Sequence, residues 1–375
     1  MSQDATPIYQ GQEFYIPQFQ VKLRGRPLGQ DVVRDILSVT YKDNIAEIDS
    51  FEITINNWDA DKRSFKFSDG DLFDPGKQIE LWMGYNGKDS LRLMLTGEIT
   101  ALKPSFPSSG QPTLAITGLN LMHRLRTKQE SHAYENLKDS EIALQIGSRL
   151  NLDVVVDRNA LAQEEKYPYL FQDNQYDIIY LMERARHVGY DLFVRESGEN
   201  GQSGESSLYF GPSVSVRNVS YKLTYGRSLI EFQPELSTAK QVSKVTVRGW
   251  DAVKKDKIEY TAKRSDIKTK GVGDAGGQAE IDQAFGDREE VITDKPVRSL
   301  QEATTLATET LENIAKEMVK GHGSTVGLPD LRAGSILIID GIGTRFSGRY
   351  FVTSTTHAIG DGGYTTQFDC RREEV

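Results

Sequence analysis

The stretch that decides the fold lies near the C-terminus. It reads Gly327-Leu-Pro-Asp-Leu-Arg-Ala-Gly334, Ser-Ile-Leu-Ile-Ile-Asp-Gly341-Ile-Gly343, Arg345-Phe-Ser-Gly-Arg-Tyr350-Phe-Val, Thr353-Ser-Thr-Thr-His357 and Gly362-Gly363-Tyr364-Thr-Thr-Gln-Phe368. Ten of the 43 residues from Gly321 to Gly363 are glycine, which concentrates here the glycine of a chain holding 33 among 375 residues. Between the glycines, Ser335–Ile339, Arg349–Thr355 and Tyr364–Cys370 read as short strands separated by tight turns.

The same rhythm opens the chain. Phe19, Val21 and Leu23 alternate, as do Ile53 and Ile55 after Phe51, then Ile79, Leu81 and Met83, then Leu91, Leu93 and Leu95, then Leu114 and Ile116. A period of two buries one face of a strand. Asn86-Gly87 between two such runs signals a hairpin, and Asp69-Gly-Asp71, Asp74-Pro-Gly76 and Pro104 to Pro112 are further breaks. The rhythm changes in the middle. Ile142, Ile146 and Leu150 mark a helix that Asp139 or Ser140 would cap, and Val154-Val-Val156 is a strand. Ile178, Leu181, Met182, Ala185 and Val188 form a second helical stripe that stops at Gly189, before a strand over Tyr190–Val194.

In the last third, Val242, Val245 and Val247 lead to Trp250, followed by Ile258 and Tyr260. Residues 251–295 carry 11 acidic and 9 basic side chains and few large apolar ones, the pattern of an exposed insertion. Ser299-Leu-Gln-Glu302 fits a capping box, and Leu300, Ala303, Ala307, Leu311, Ile314 and Met318 form the stripe of a helix ending at Gly321. The expectation is a mainly β chain with an α/β insertion (α+β): a strand-rich domain over 1–128, a small α/β domain over 129–225, and a second strand-rich domain over 226–375. The last would carry a charged insertion (251–297) and a long helix (299–320).

Composition excludes several functions. The only cysteine, Cys370, rules out an internal disulfide framework and an all-cysteine zinc cage. The formal charge of −9 argues against a general nucleic-acid binder or a polybasic membrane anchor. No run approaches the ~20 apolar residues of a membrane-spanning helix. Met1 to Pro7 lacks the basic and apolar regions of a secretory signal, so synthesis and assembly are expected in the cytoplasm.

Candidate chemistry is thin. Gly271-Val-Gly-Asp-Ala-Gly276 matches a dinucleotide pattern but follows no apolar strand, so it reads as a loop. Asp69, Asp71 and Glu80 fit a calcium-loop template at three positions, yet Asp74 stands where glycine is needed and Pro75 follows. His123, His132, His187, His322 and His357 show no ligand spacing, and His357 reads as a structural hydrogen-bonding residue. Gly201-Gln-Ser-Gly-Glu205 fails as a nucleophile elbow. Asn218-Val-Ser220 is a formal glycosylation sequon that carries little weight without a secretory signal. Trp58, Trp82 and Trp250 could stack on sugars but fit packed roles better. No catalytic, cofactor-binding or metal site is expected.

The C-terminal pattern resembles the closing strands of the phage late control D family, tail hub proteins of contractile phages and related injection systems. Shared features are a G-x-P-x-L-x-x-G opening, a G-x-x-F-x-G-x-Y turn, a histidine and a G-Y-x-T-x-F strand. Val245-Thr-Val-Arg-Gly-Trp250-Asp and Gln172-Asp-Asn-Gln-Tyr-Asp177 with Gly189-Tyr190 add to it. Such proteins resemble the N-terminal hub half of VgrG-type spike proteins. The resemblance implies two tube-protein-like β-barrel domains flanking the α/β domain, and a homotrimer whose six barrels adapt a sixfold inner tube to a threefold spike. It further implies partners in the inner tube protein, a separate spike polypeptide, other baseplate components and effector cargo in the lumen. After assembly the chain would be part of a phage tail or injection particle. The alternatives are a hub that also hydrolyses peptidoglycan and a stand-alone carbohydrate-binding β protein.

Overall fold

A computed structural model describes residues 6–7, 16–87, 91–196, 206–212, 220–251, 254–266, 288–294, 297 and 299–372. The architecture is mainly β, as the sequence predicts. The first unit holds β1 (Pro17–Leu23), α1 (Gln30–Asp35), β2 (Ile36–Asn44), β3 (Ser50–Asn56), β4 (Gln78–Tyr85), β5 (Leu91–Ser105) and β6 (Thr113–Asn120). The middle holds β7 (Gln129–Leu137), α2 (Asp139–Leu150), β8 (Val154–Val156), α3 (Arg158–Gln163), β9 (Tyr167–Tyr176), α4 (Asp177–His187), β10 (Asp191–Glu196) and β11 (Ser206–Gly211). Then come β12 (Ser220–Thr224), β13 (Leu229–Leu236), β14 (Lys244–Asp251), β15 (Asp256–Lys263), β16 (Glu289–Ile292), α5 (Leu300–Lys316), β17 (Val319–Val326), β18 (Ile336–Asp340), β19 (Gly348–Gly360) and β20 (Gly363–Arg372).

The two strand-rich parts belong to one sheet of fourteen strands, two of which are the two-residue pieces Thr6–Pro7 and Arg26–Pro27. The first unit is ordered β2-β3-β6-β5-β4-β1, and the last β13-β17-β20-β19-β18-β12. Counted along the chain, both orders are second, third, sixth, fifth, fourth, first. The repeat, coarse in sequence, is thus a duplicated topology, and it extends to details. The second strand is bulged in both units, at Leu37 in β2 and Ile230 in β13. The fifth strand is bulged in both, at Thr100 in β5 and Thr353 in β19. The turn into the fourth strand is tied alike, Gly76 N–H to the Ile99 carbonyl and Gly334 N–H to that of Val352, each 2.8 Å. Both glycines have positive φ, +87° and +88°. One difference is the first strand: β1 runs antiparallel to β4, whereas β12 runs parallel to β18.

The expected barrels are open sheets. Closure would need the first and second strands of each unit to pair, but in the last unit only an isolated bridge, Tyr225–Leu229, lies between the end of β12 and the start of β13. In the first unit β2 is taken by β19 of the other, with Tyr41 opposite His357. Each unit keeps its own core. Val39, Phe51, Ile53, Ile79, Leu81 and Ile116 fill the first; Leu223, Leu337, Ile339, Tyr350, Val352 and Phe368 fill the last. Each such side chain contributes ~1.5–3 kcal/mol on burial.

The middle part packs α2 and α4 on the short sheet β8-β11-β10 around Ile142, Ile146, Leu181, Leu192 and Phe210. The helix ends follow from local chemistry. Glu141 accepts the Lys138 N–H (2.9 Å) at the start of α2, so Asp139 lies inside the helix, and Gly189 at φ +71° follows α4 as expected.

Two expectations in the last third are corrected. The long helix covers 300–316 where 299–320 is predicted, because Val319 is already paired with Leu236. Gly321 therefore sits in β17, where the Phe232 ring occupies the space of a side chain (2.4 Å from an added Cβ). The charged stretch is partly built into the fold: β15 and β16 flank β14, and Val245, Val247, Ile258 and Ile292 form a core with Ala303, Leu306 and Leu311 of α5. This layer is an excursion from the sheet between Leu236 and Val319.

Candidate functional site

The Gly327–Gly334 loop, singled out by sequence, lies where the two units meet. Arg332 reaches across the junction. Its Nε donates to Asp43 Oδ2 (3.0 Å) and its Nη2 to the Met94 carbonyl (2.8 Å) and the Tyr41 hydroxyl, with the guanidinium 4.4 Å from the Tyr41 ring centre. Asp43 also accepts the Ala333 N–H (3.1 Å) and the Thr355 hydroxyl. Burial works against the Arg332 charge, but Tyr41, Asp43 and Asp49 around it more than offset that, so its pKa is raised. One cation, its side chain 16% exposed, thus ties β2, β5, β19 and the loop together.

His357 completes the junction from β19. It is fully buried, with Nε2 2.9 Å from the Leu331 carbonyl and Nδ1 3.0 Å from the Tyr364 hydroxyl and 3.1 Å from that of Thr366. The Thr366 oxygen accepts the Leu328 N–H at 2.9 Å, leaving its proton for Nδ1. This pattern fits the neutral ring protonated at Nε2. Burial, followed by weaker charge effects, lowers its pKa to about 4. Tyr85 donates to the Gly327 carbonyl (2.9 Å) and lies 5.5 Å from the Tyr364 ring. Gly327 is needed because a Cβ there would meet the Tyr364 ring at 2.1 Å. The expected structural role of His357 is borne out.

The middle part is joined to the first unit by a similar device. Glu196 of β10 accepts the Thr96 N–H (2.8 Å), the Thr96 hydroxyl (3.2 Å) and the Ser206 hydroxyl. Burial raises its pKa. Within the middle part, Arg184 pairs with Asp139 (2.5 Å) and Arg149 with Asp177 (2.5 Å), while Gln172 bridges Tyr134 and Asp177 at 3.1 and 2.9 Å. The Gln172–Asp177 motif is therefore a packing motif.

The other sequence candidates are scattered. Asp69 and Asp71 are exposed, whereas Glu80 is turned to Lys22 (3.5 Å) and the Trp82 indole N–H (3.2 Å), so no calcium loop forms from them. His123 contacts Glu98 (2.9 Å), His322 contacts Asp369 (2.9 Å), His132 lies with its ring tilted against Tyr134 (centroids 4.7 Å apart), and His187 ends α4. Among the described residues, no three His, Cys, Asp or Glu side chains are placed to hold a metal ion. Cys370 is buried, its thiol donating to the Gly321 carbonyl, and burial pushes its pKa up. Trp82 is fully buried under Lys22 and Trp58 is half-buried against Phe65, whereas Trp250 is 61% exposed, so the packed role fails for that one. Residues 201–205, 218–219 and 271–276 lie outside the described residues. Sequence reading missed Arg332 and Asp43; the signal available was a pair of charged residues, Asp330 and Arg332, inside a glycine-bounded loop.

These groups are inward-facing and saturated with one another, an arrangement suited to holding parts in register. A family model described as the Alg8 N-terminal domain matches residues 15–361. The chain belongs to the Alg8 N-terminal domain family. No curated protein matches it. Among solved structures, the 43 kDa tail protein of prophage MuSo2 from Shewanella oneidensis is similar at 13% identity and TM-score 0.69, over 95% of this chain and 98% of that one. A tail protein from Neisseria meningitidis gives 13% and 0.69 over 96% and 97%. The Escherichia coli c3393 protein gives 12% and 0.58 over 93% and 76%; it is a component of the type VI secretion system with structural similarity to the T4 tail proteins gp27 and gp5. The likeness to tail hub proteins drawn from the sequence is borne out in the fold. These neighbours are tail and secretion-system components.

Proposed function

We propose that this Alg8 N-terminal domain family chain is a structural hub of a contractile tail or injection baseplate, acting as a homotrimer and without catalytic activity of its own. One observation carries the reading: a single chain holds two copies of one six-strand order, inside a fold shared with tail proteins along nearly its whole length. Three such chains present six similar units around a threefold axis, which is what an adaptor between a sixfold inner tube and a threefold spike requires. The saturated junction around Arg332 and His357 supports a load-transmitting role. The division at 1–128, 129–225 and 226–375 is kept as the domain proposal, with the layer on α5 belonging to the third. Residence in a tail or injection particle, and assembly in the cytoplasm, belong to the same reading. Co-expression of the chain with the tube and spike proteins of its own gene neighbourhood tests it. A complex holding all three is expected; a chain that copurifies with neither would refute the hub.

A further inference from the structure

Among the described residues, each unit of the sheet leaves one edge that the other unit fills. In the last unit, the far half of the fifth strand, Ser354–Ile359 of β19, is paired on its outer side with β2, the second strand of the first unit. In the first unit, β4 pairs with β5 only as far as Glu98, so the outer side of the far half of β5 beyond Thr100 has no described strand against it. Among the described residues, the second strand of the last unit, β13, pairs as a strand only with β17, and beyond the Tyr225–Leu229 bridge no described strand lies on its outer edge. One fifth strand and one second strand are therefore open, and they are the two that the internal junction lacks.

We propose that β13 of one chain pairs with the far half of β5 of the next, repeating between copies the β2–β19 junction seen within the chain. This rests on the trimeric hub reading and names its contact. The two bulges fix the register. Setting Thr100 equivalent to Thr353, and Ile230 equivalent to Leu37, carries the pairs Thr355–Asp43 and Thr356–Lys42 onto Leu102–Leu236 and Lys103–Glu235. The residues suit those places. Leu236 is 45% exposed in the single chain and would meet Leu102, which already leans on the first core. Lys103 and Glu235 are exposed and opposite in charge, and their strand partners on the inner side are Ala115 and Lys320. Pro104 and Pro234 also come opposite one another, so the missing N–H groups coincide and each edge is blunted against unrelated strands. The contact is head-to-tail, and with a threefold rotation between copies its repetition closes a ring.

Charge reversal and engineered cysteines test the register. Light scattering over a concentration series is expected to show a multimer for the unaltered chain and roughly tenfold weaker association for Glu235→Lys, with recovery in Glu235→Lys/Lys103→Glu. The double variant Lys103→Cys/Glu235→Cys is expected to give disulfide-linked two- and three-chain species on oxidation, which neither single variant gives as a ladder. Cys370, buried, stays silent. Circular dichroism confirms that these surface variants fold. A multimer indifferent to the reversal and giving no ladder would overturn this contact while leaving the trimer standing. A monomer at every concentration would overturn both.

Discussion

The two strand-rich units share a strand order and two bulges, yet they fill equivalent places with different chemistry. The turn into the fourth strand carries half-buried Arg332 in the last unit and exposed Asp74 in the first. On the sixth strand, Cys370 lies opposite Gly321 in the last unit, whereas Gly118 lies opposite Phe51 in the first. The difference teaches that the backbone plan of the repeat is independent of its side chains. The last unit spends polar groups on a junction inside the chain, and the equivalent edges of the first stay apolar or singly charged and open to solvent.

The largest effect is expected at the paired turns. Arg332→Met strands Asp43 without its cation, so urea unfolding should show a loss of about 3–5 kcal/mol. Asp74→Asn, at the equivalent exposed turn, should change stability by less than about 0.5 kcal/mol. Equal losses at the two sites would mean that the junction is not specially braced.

Next comes pH. His357 is neutral in the fold with its pKa lowered to about 4, against about 6.5 unfolded. Its contribution is complete above pH 6.5 and falls away as the pH drops toward 4, by about 3 kcal/mol in all. Thermal unfolding across that range should lose this slope in His357→Gln, and an unchanged slope would remove His357 from the account. The first unit has Pro104 at the equivalent place and offers no such group.

A smaller loss is expected where the two sixth strands differ. A Cβ on Gly118 would meet the Phe51 ring at 2.3 Å and the Glu98 carbonyl at 2.2 Å. Gly118→Ala should cost about 1–3 kcal/mol, read by the same urea titration, whereas Cys370→Ala trades a buried thiol for a smaller apolar group and should cost less. The smallest lies outside the sheet: Ser299 accepts the Glu302 N–H (3.1 Å) at the start of α5, and Ser299→Ala should cost about 1 kcal/mol.

Much of the fold was legible. Alternation located β1, β3, β4, β5, β6 and the closing strands, Asn86-Gly87 marked the β4–β5 hairpin, and Gly189 marked the end of α4. What escaped was non-local. The end of α5 is set by Leu236 pairing with Val319 across the whole excursion, so Gly321 misled as a helix stop. The duplication left little sequence trace because most equivalent positions hold unlike residues; the strand order, the two bulges and the positive-φ glycines Gly76 and Gly334 record it. The junction was half legible: His357 was read as structural, but nothing local tells that Arg332 faces Asp43, 289 positions away.

The central claim is that three copies of a twofold repeat make a ring of six. Electron microscopy of the purified chain, with its particle mass from light scattering, tests it most directly. The account expects a closed ring of three times the 42.0 kDa chain, with six similar lobes around a central channel. A compact particle of one chain's mass, or a dimer with no channel, would contradict it.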